Sequence, residues 1–222
     1  MGETGRPAFN IWTGWEPQAG DVTPFLELNE HLFKNMAPDQ RDIPLKLMAY
    51  KAQHPEEKIP LALVLLGPQG CGKTMWGEII RDAFAPYGDS VNSKQLASEF
   101  QGWLERSLIA VIDEAKGDDM FQSVDKLKTL ISDIRQPMNE KFRPVRQVNS
   151  YTLYIITSNS RSVGSFSADD RRMIVVDCPK PREEAFYYKR VKPWWVAGGP
   201  KALLHHLLNL DLKGWRPPAR RP

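Results

Sequence analysis

The run Leu61-Ala62-Leu63-Val64-Leu65-Leu66 leads without a break into Gly67-Pro68-Gln69-Gly70-Cys71-Gly72-Lys73-Thr74. No other segment constrains the fold as tightly. Successive apolar residues of this length read as a strand buried on both faces, and such strands belong to parallel sheets covered by helices. The glycines that follow predict a tight turn, and the stretch beyond Thr74 suits a helix. This order of strand, glycine loop and helix is what separates a working G-x-x-x-x-G-K-T site from a chance match. Loop N–H groups turn inward around a β-phosphate. Lys73 reaches the β- and γ-phosphates, the Thr74 hydroxyl ligates Mg²⁺, and the helix directs its positive end at the anion. Gly67, Pro68, Gln69, Gly70, Cys71, Gly72, Lys73 and Thr74 are therefore the expected nucleotide cradle. A glycine-rich turn with no ligand is the plain alternative; strand, spacing and the Lys-Thr pair all argue against it.

Further strand signals fall at Leu108–Ile112, Leu153–Thr157 and Met173–Asp177. Helical stretches separate them at Thr74–Phe84, Ser93–Leu104 and Phe121–Ile134. Alternating strands and helices predict an α/β fold with a mostly parallel sheet covered on both faces. The run Leu108–Ile112 ends in Asp113-Glu114. Asp113 would bind Mg²⁺, directly or through water, and Glu114 would polarise the water attacking the γ-phosphate of ATP. Hydrolysis needs both, because positioning and charge neutralisation lower its barrier. Alone the pattern is weak, since strands often end in acids; the P-loop upstream gives it weight. Leu153–Thr157 ends in Ser158-Asn159, expected beside the Asp-Glu strand. There Asn159 would hold the attacking water or touch the γ-phosphate; standing alone it would be an ordinary turn residue. Asp169-Asp170-Arg171-Arg172 precedes the last strand. Arginine is always charged and forks onto phosphate oxygens. At an oligomer interface Arg171 or Arg172, the latter first, would complete a neighbour's site. The competing reading is an Asp-Arg salt bridge capping the strand.

A formal net charge of +3 leaves any nucleic-acid affinity to local patches. Two cysteines, Cys71 and Cys178, make no disulfide framework and fit a reducing compartment. The N-terminus lacks a signal-peptide core, and Leu61–Leu66 is far too short to cross a bilayer. A soluble cytoplasmic protein is expected. Residues 1–57 read as an extended arm and a small helical extension, with two short helices between Thr23 and His54 broken by Pro38 and Pro44. Residues 58–180 read as the ATPase core. Residues 181–222 read as a basic tail carrying a helix near Pro200–Leu208 and ending as if severed. Trp194 and Trp195 are expected to dock this tail on the core rather than stack on a base. Cys71 sits beside Lys73 but needs no chemical role, and the adjacent His205 and His206 lack metal-ligand spacing.

The order GPQGCGKT, VIDEA, YIITSN and DDRR resembles the superfamily 3 helicases, AAA+-related ring motors of small viruses, phages and plasmids. The likeness is greatest to the helicase part of phage and plasmid primase-helicases. Asn10–Trp15, Gly20-Asp21 and Gly198–His205 extend it over nearly the whole chain, more loosely. The resemblance implies a three-layer P-loop NTPase core with a five-stranded sheet. It implies Walker A at Lys73 and Thr74, Walker B at Asp113 and Glu114, a sensor at Asn159, and a finger at Arg171 or Arg172. It also implies a hairpin that grips the nucleic-acid backbone in a central channel. The matching interval is Asn139-Glu140-Lys141-Phe142-Arg143-Pro144-Val145-Arg146. Lys141, Arg143 and Arg146 would track phosphates of single-stranded DNA, Lys141 foremost, and Phe142 would stack on a base. A solvated charged hairpin is the competing reading. Hexameric rings, 3′-to-5′ travel and an attached primase or origin-binding domain are further implications.

An ATP-driven DNA helicase or translocase is thus the leading expectation. A loader or remodeller that never separates strands is barely distinguishable from it. A small-molecule P-loop kinase is disfavoured by the Asp-Glu pair and by the lack of an arginine-rich lid. A module with a dead P-loop is disfavoured by intact Lys73, Thr74, Asp113 and Glu114.

Overall fold

A computed structural model of the chain describes residues 13–92, 95, 96, 98, 102–113, 117–139, 142, 144–159 and 170–218, with backbone alone at 117–124. Seven strands are present among them: β1 (Ala62–Leu66), β2 (Gly88–Ser90), β3 (Ile109–Ile112), β4 (Arg135–Met138), β5 (Arg146–Asn149), β6 (Leu153–Ser158) and β7 (Met173–Asp177). The helices are α1 (Thr23–Phe33), α2 (Ile43–Gln53), α3 (Lys73–Ala83), α4 (Gly117–Ser132), α5 (Lys192–Val196) and α6 (Gly199–Asn209). A π-helical turn, Phe186–Val191, runs directly into α5.

Five strands form one sheet in the order β2-β3-β6-β1-β7, and every neighbouring pair is parallel. The four apolar runs supply β1, β3, β6 and β7. The fifth strand, β2, is a Gly-Asp-Ser segment at the sheet edge with no hydrophobic signal to announce it. β4 and β5 pair antiparallel as a separate hairpin.

Alternation along each strand splits the core into two clusters. Leu63, Leu65, Ile109, Val111, Ile155 and Val176 face a layer built from α1, α2, α3 and α6. Ala62, Val64, Ala110, Ile112, Tyr154 and Ile156 face Leu127, Leu130 and Ile131 of α4. The result is three layers, helix on sheet on helix. The N- and C-terminal segments share the first layer: α2 packs on α6, α3 on α6, and α1 on both α3 and the π-helical turn.

Pro44 does not break the helical stretch as expected. It lies in the first turn of α2, where its missing N–H would have had no intrahelical partner. Pro38 alone separates the two helices. Within the stretch 93–104, expected as a helix, Gln95 and Leu96 are helical, Ser98 is a bend and 102–104 are turn; 93, 94, 97 and 99–101 lie outside the described residues. The C-terminal segment is folded against the core rather than trailing from it. Trp194 Nε1 donates to the Asp21 carbonyl at 2.6 Å and Trp195 Nε1 to Asp82 Oδ2 at 2.8 Å. No helix among the described residues is long and apolar enough to cross a membrane.

Trp76 joins α3 to α1. It is fully buried, stacks on Phe25 at 6.0 Å between centroids, meets Phe33 edge-on, and donates to Asn29 Oδ1. Trp76→Ala should lower unfolding stability by about 3–5 kcal/mol, as truncation of a buried aromatic does. Urea denaturation measures this; a loss below about 1 kcal/mol would show that α1 is not held through this ring.

Candidate nucleotide site

In a parallel sheet all strands deliver their carboxyl ends to one edge, where ligands of open α/β sheets bind. β1 ends there in the glycine loop, β3 in Asp113 and β6 in Ser158-Asn159. Gly70 and Gly72 take φ of 81° and 101°, a region disfavoured for side-chain-bearing residues. Gly72 is doubly required. A Cβ there would lie 2.9 Å from Leu28 Cδ1 and 3.0 Å from Tyr187 Cε1.

Lys73, at the start of α3, is buried with its ammonium turned into the loop. Nζ donates to the carbonyls of Gly67 (2.8 Å) and Pro68 (2.9 Å) and to Asn159 Oδ1 (3.1 Å). Thr74 Oγ1 donates to Asp113 Oδ1 at 3.0 Å, and the Thr157 hydroxyl donates to the same carboxylate oxygen. The glycine loop, the start of α3, Asp113 and Asn159 are thus joined by direct hydrogen bonds. They line one cavity of about 510 Å³ with Gln69, Gly70, Gly72, Thr157 and Ser158.

Cys71 is fully buried within the loop. A hydrogen bond with Cys178 and the nearby Lys73 ammonium hold its thiol below the ordinary cysteine range despite burial. The same hydrogen bond, then burial, push Cys178 up. Burial denies reagents access to Cys71, whose sulfur accepts from Lys73 Nζ at 3.5 Å.

The other predicted residues are distributed differently. Arg171 and Arg172 precede β7, and the Arg172 carbonyl accepts from Ala62 N–H at the start of β1. They occupy the amino-terminal edge of the sheet, the full length of β1 or about 13 Å from the loop. Arg172 lies 3.6 Å from Asp170, the local ion pair anticipated as the competing reading. Arg146 forms a two-pronged pair with Glu105, at 2.7 and 2.5 Å, instead of projecting alone. Phe142 lies beyond β4 with its ring fully exposed. Glu114, Lys141 and Arg143 lie outside the described residues.

Several wall residues were not anticipated, among them Thr157, Arg182, Tyr187 and Tyr188. Thr157 stood one place before the polar Ser-Asn pair and was read as strand; its strand-end position was the available signal. Arg182, Tyr187 and Tyr188 line the cavity from beyond β7, in a segment with no recognisable pattern. Arg182 is braced over the Phe186 ring at 3.8 Å and beside Glu183.

Residues 65–172, just under half of the chain, match a family of unknown function, DUF5906. Over 155 residues the chain is 24% identical to the DNA primase-polymerase of Nitratiruptor phage NrS-1, spanning 68% of this chain and 21% of that protein. The two are homologous, and this chain spans about a fifth of its relative's length. The apo structure of the NrS-1 C-terminal region superimposes with a TM-score of 0.72 at 21% identity, over 88% of this chain and 48% of that one. An A-form apo structure of the same region gives 0.71 at 20% identity, over 88% and 47%. The α/β fold with its five-stranded sheet is therefore shared with that region.

Gly72→Ala is expected to strain the loop and collide with Leu28 and Tyr187. It should cost about 1–3 kcal/mol, the range for enforced backbone strain. Thermal melting of the isolated variant reports the cost; an unchanged midpoint would mean the loop relaxes freely.

Proposed function

We propose that this chain is an ATP-hydrolysing motor of a phage DNA-replication protein, a P-loop NTPase of the superfamily 3 helicase kind that moves on single-stranded DNA. The observation that carries the reading is the direct wiring of Lys73 to Asn159 and of Thr74 to Asp113 across one cavity. An unrelated glycine turn has no reason to share hydrogen bonds with the ends of two neighbouring strands.

In this reading the loop N–H groups and Lys73 bind the phosphates of ATP. The oxygens of Thr74, Asp113 and Thr157 converge, a donor set suited to a hard cation such as Mg²⁺. Thr74 and Asp113 would hold that ion, which neutralises phosphate charge when bound. Glu114, directly after Asp113 in the chain, orients and deprotonates the attacking water. Asn159 marks the γ-phosphate end and leaves Lys73 when nucleotide arrives.

The position of Arg171 and Arg172 supports a ring. On the sheet edge opposite the cavity they lie out of reach of their own site, so a finger role requires a neighbouring subunit. A hexamer is the assembly the resemblance implies. The β4–β5 hairpin with Phe142 exposed supports DNA contact by Lys141, Arg143 and Phe142. Arg146 would add to it only by leaving Glu105. The homologous phage primase-polymerase supports a replication setting, with priming activity carried by a further domain or partner.

Purified protein with Mg²⁺ should hydrolyse ATP faster when single-stranded DNA is added. Lys73→Ala should lose ATP binding by calorimetry, and Glu114→Gln should bind ATP without turnover. Full turnover by Glu114→Gln would remove it from the chemistry; no ATP binding by the wild type would sink the motor reading. DNA-stimulated hydrolysis without unwinding of a forked duplex would favour a loader or remodeller.

Arg172→Ala should bind ATP nearly as the wild type does while turnover falls by about 10³-fold or more, as for other arginine fingers. Mixing it with Lys73→Ala should restore part of the rate, because each variant supplies what its neighbour lacks. Mixtures that stay inactive at every ratio would refute a finger acting between subunits.

A further inference from the structure

Tyr187 lies on the π-helical turn, more than a hundred residues beyond the glycine loop, yet it is buried against that loop. Single-turn π segments are often found at functional sites. Three polar atoms surround the Tyr187 hydroxyl: the Cys71 carbonyl at 3.2 Å, the Arg182 backbone N–H at 3.0 Å and His31 Nε2 at 3.4 Å. Their directions are forced. A backbone N–H only donates and a carbonyl only accepts, so the phenol accepts from Arg182 and spends its single proton on Cys71. His31 must then present Nε2–H. Burial lowers the His31 pKa, favouring the neutral ring that carries one such proton.

The consequence lies in the peptide joining Cys71 to Gly72. A trans peptide is planar, with C=O and N–H on opposite sides. The tyrosine hydroxyl holds the Cys71 oxygen toward the helical layer. The Gly72 N–H of the same peptide therefore points away from the tyrosine hydroxyl. The Tyr187 ring also packs on Gly72 itself, where a Cβ would meet it at 3.0 Å.

We infer that Tyr187 is a positioning residue for phosphate binding, holding the Cys71–Gly72 peptide so that its N–H faces the anion, with His31 and the Arg182 backbone holding the phenol. This inference rests on the nucleotide reading of the cavity. It adds that the phosphate end of the site is set from outside the P-loop core, by the turn after β7 and by α1. Tyr187 touches the loop backbone and is not a catalytic residue.

The test is titration of the full chain with Mg-ATP and with inorganic tripolyphosphate, which has no base or sugar. Tyr187→Phe keeps the ring against Gly72 and removes the hydroxyl. Both ligands should weaken together by about tenfold, the effect of one well-placed hydrogen bond. Val191→Ala truncates a buried residue of the same turn outside the cavity wall, and should melt earlier but hold tripolyphosphate as the wild type does. Unchanged affinities in Tyr187→Phe would overturn the inference while leaving the nucleotide reading intact. So would a loss for ATP without a loss for tripolyphosphate, or an equal loss in Val191→Ala. A wild type that binds neither ligand would sink the nucleotide reading and this inference together. If Tyr187→Phe fails to fold, His31→Phe approaches the same hydroxyl from behind and should weaken tripolyphosphate about threefold by freeing the phenol to turn; an unchanged value overturns the proposal.

Discussion

The parallel register of three adjacent strands is the constraint on which the site depends. Leu66 pairs with Ser158, and Ile112 with Ile156. The next step along β3 and β6 brings Asp113 to Thr157, the pair joined by a hydrogen bond. Slipping β6 by one residue against either neighbour would exchange its two faces, exposing Ile155 or Ile156 to the wrong layer. Because both faces are buried, that slip is strongly opposed. The hydrophobic pattern therefore sets the relative height of the glycine loop, the carboxylate and the asparagine without any one of them holding the others.

Polar groups at that edge are costly to bury, and the structure meets the cost locally. An ammonium shielded from water loses several kcal/mol unless its donors are occupied. Lys73 fills them with two loop carbonyls and Asn159. Asp113 accepts hydroxyl hydrogen bonds from both neighbouring elements. These contacts keep side chains on three separate segments within reach of one another, as phosphate chemistry needs. On the proposed reading they are also exchangeable: an incoming phosphate would offer Lys73 stronger, charge-assisted partners than the neutral amide it would release.

Legibility in the sequence follows how local each feature is. Strands β1, β3, β6 and β7 were visible because fully buried strands need unbroken apolar runs. The glycine loop was visible because positive φ and close approach leave few alternatives to glycine. β2 was not, since a short edge strand needs little burial and Gly-Asp-Ser reads as a turn. Pro44 misled because proline breaks a helix interior yet suits a helix start, and spacing alone does not say which applies. Asp170 beside Arg172 could be read as a cap or as part of a finger, and the ion pair in the folded chain satisfies the first without removing the second. Tyr187 and Arg182 were illegible for a different reason. Tyr187 acts through contacts across more than a hundred residues, and Arg182 meets the loop only across the folded cavity; no local pattern encodes such a pairing.

That last point bears on how the chain is organised. Residues beyond Pro179 have the composition of a solvated basic tail, yet Phe186, Tyr187, Val191, Leu203, Leu204 and Leu207 are buried in the same cluster as Phe25, Leu65 and Cys71. Arg190 is paired with Glu27 of α1, which holds the two flanking segments to each other as well as to the sheet. A layer built from both ends of the chain therefore covers the face of the sheet from which α3 and the glycine loop emerge. The loop is packed against that layer and the strand ends, with Leu28 and Tyr187 at Gly72 and Cys178 at Gly67. Its shape cannot be a property of the eight motif residues alone. The glycines permit the turn; the surrounding helices and strand ends specify which conformation it takes.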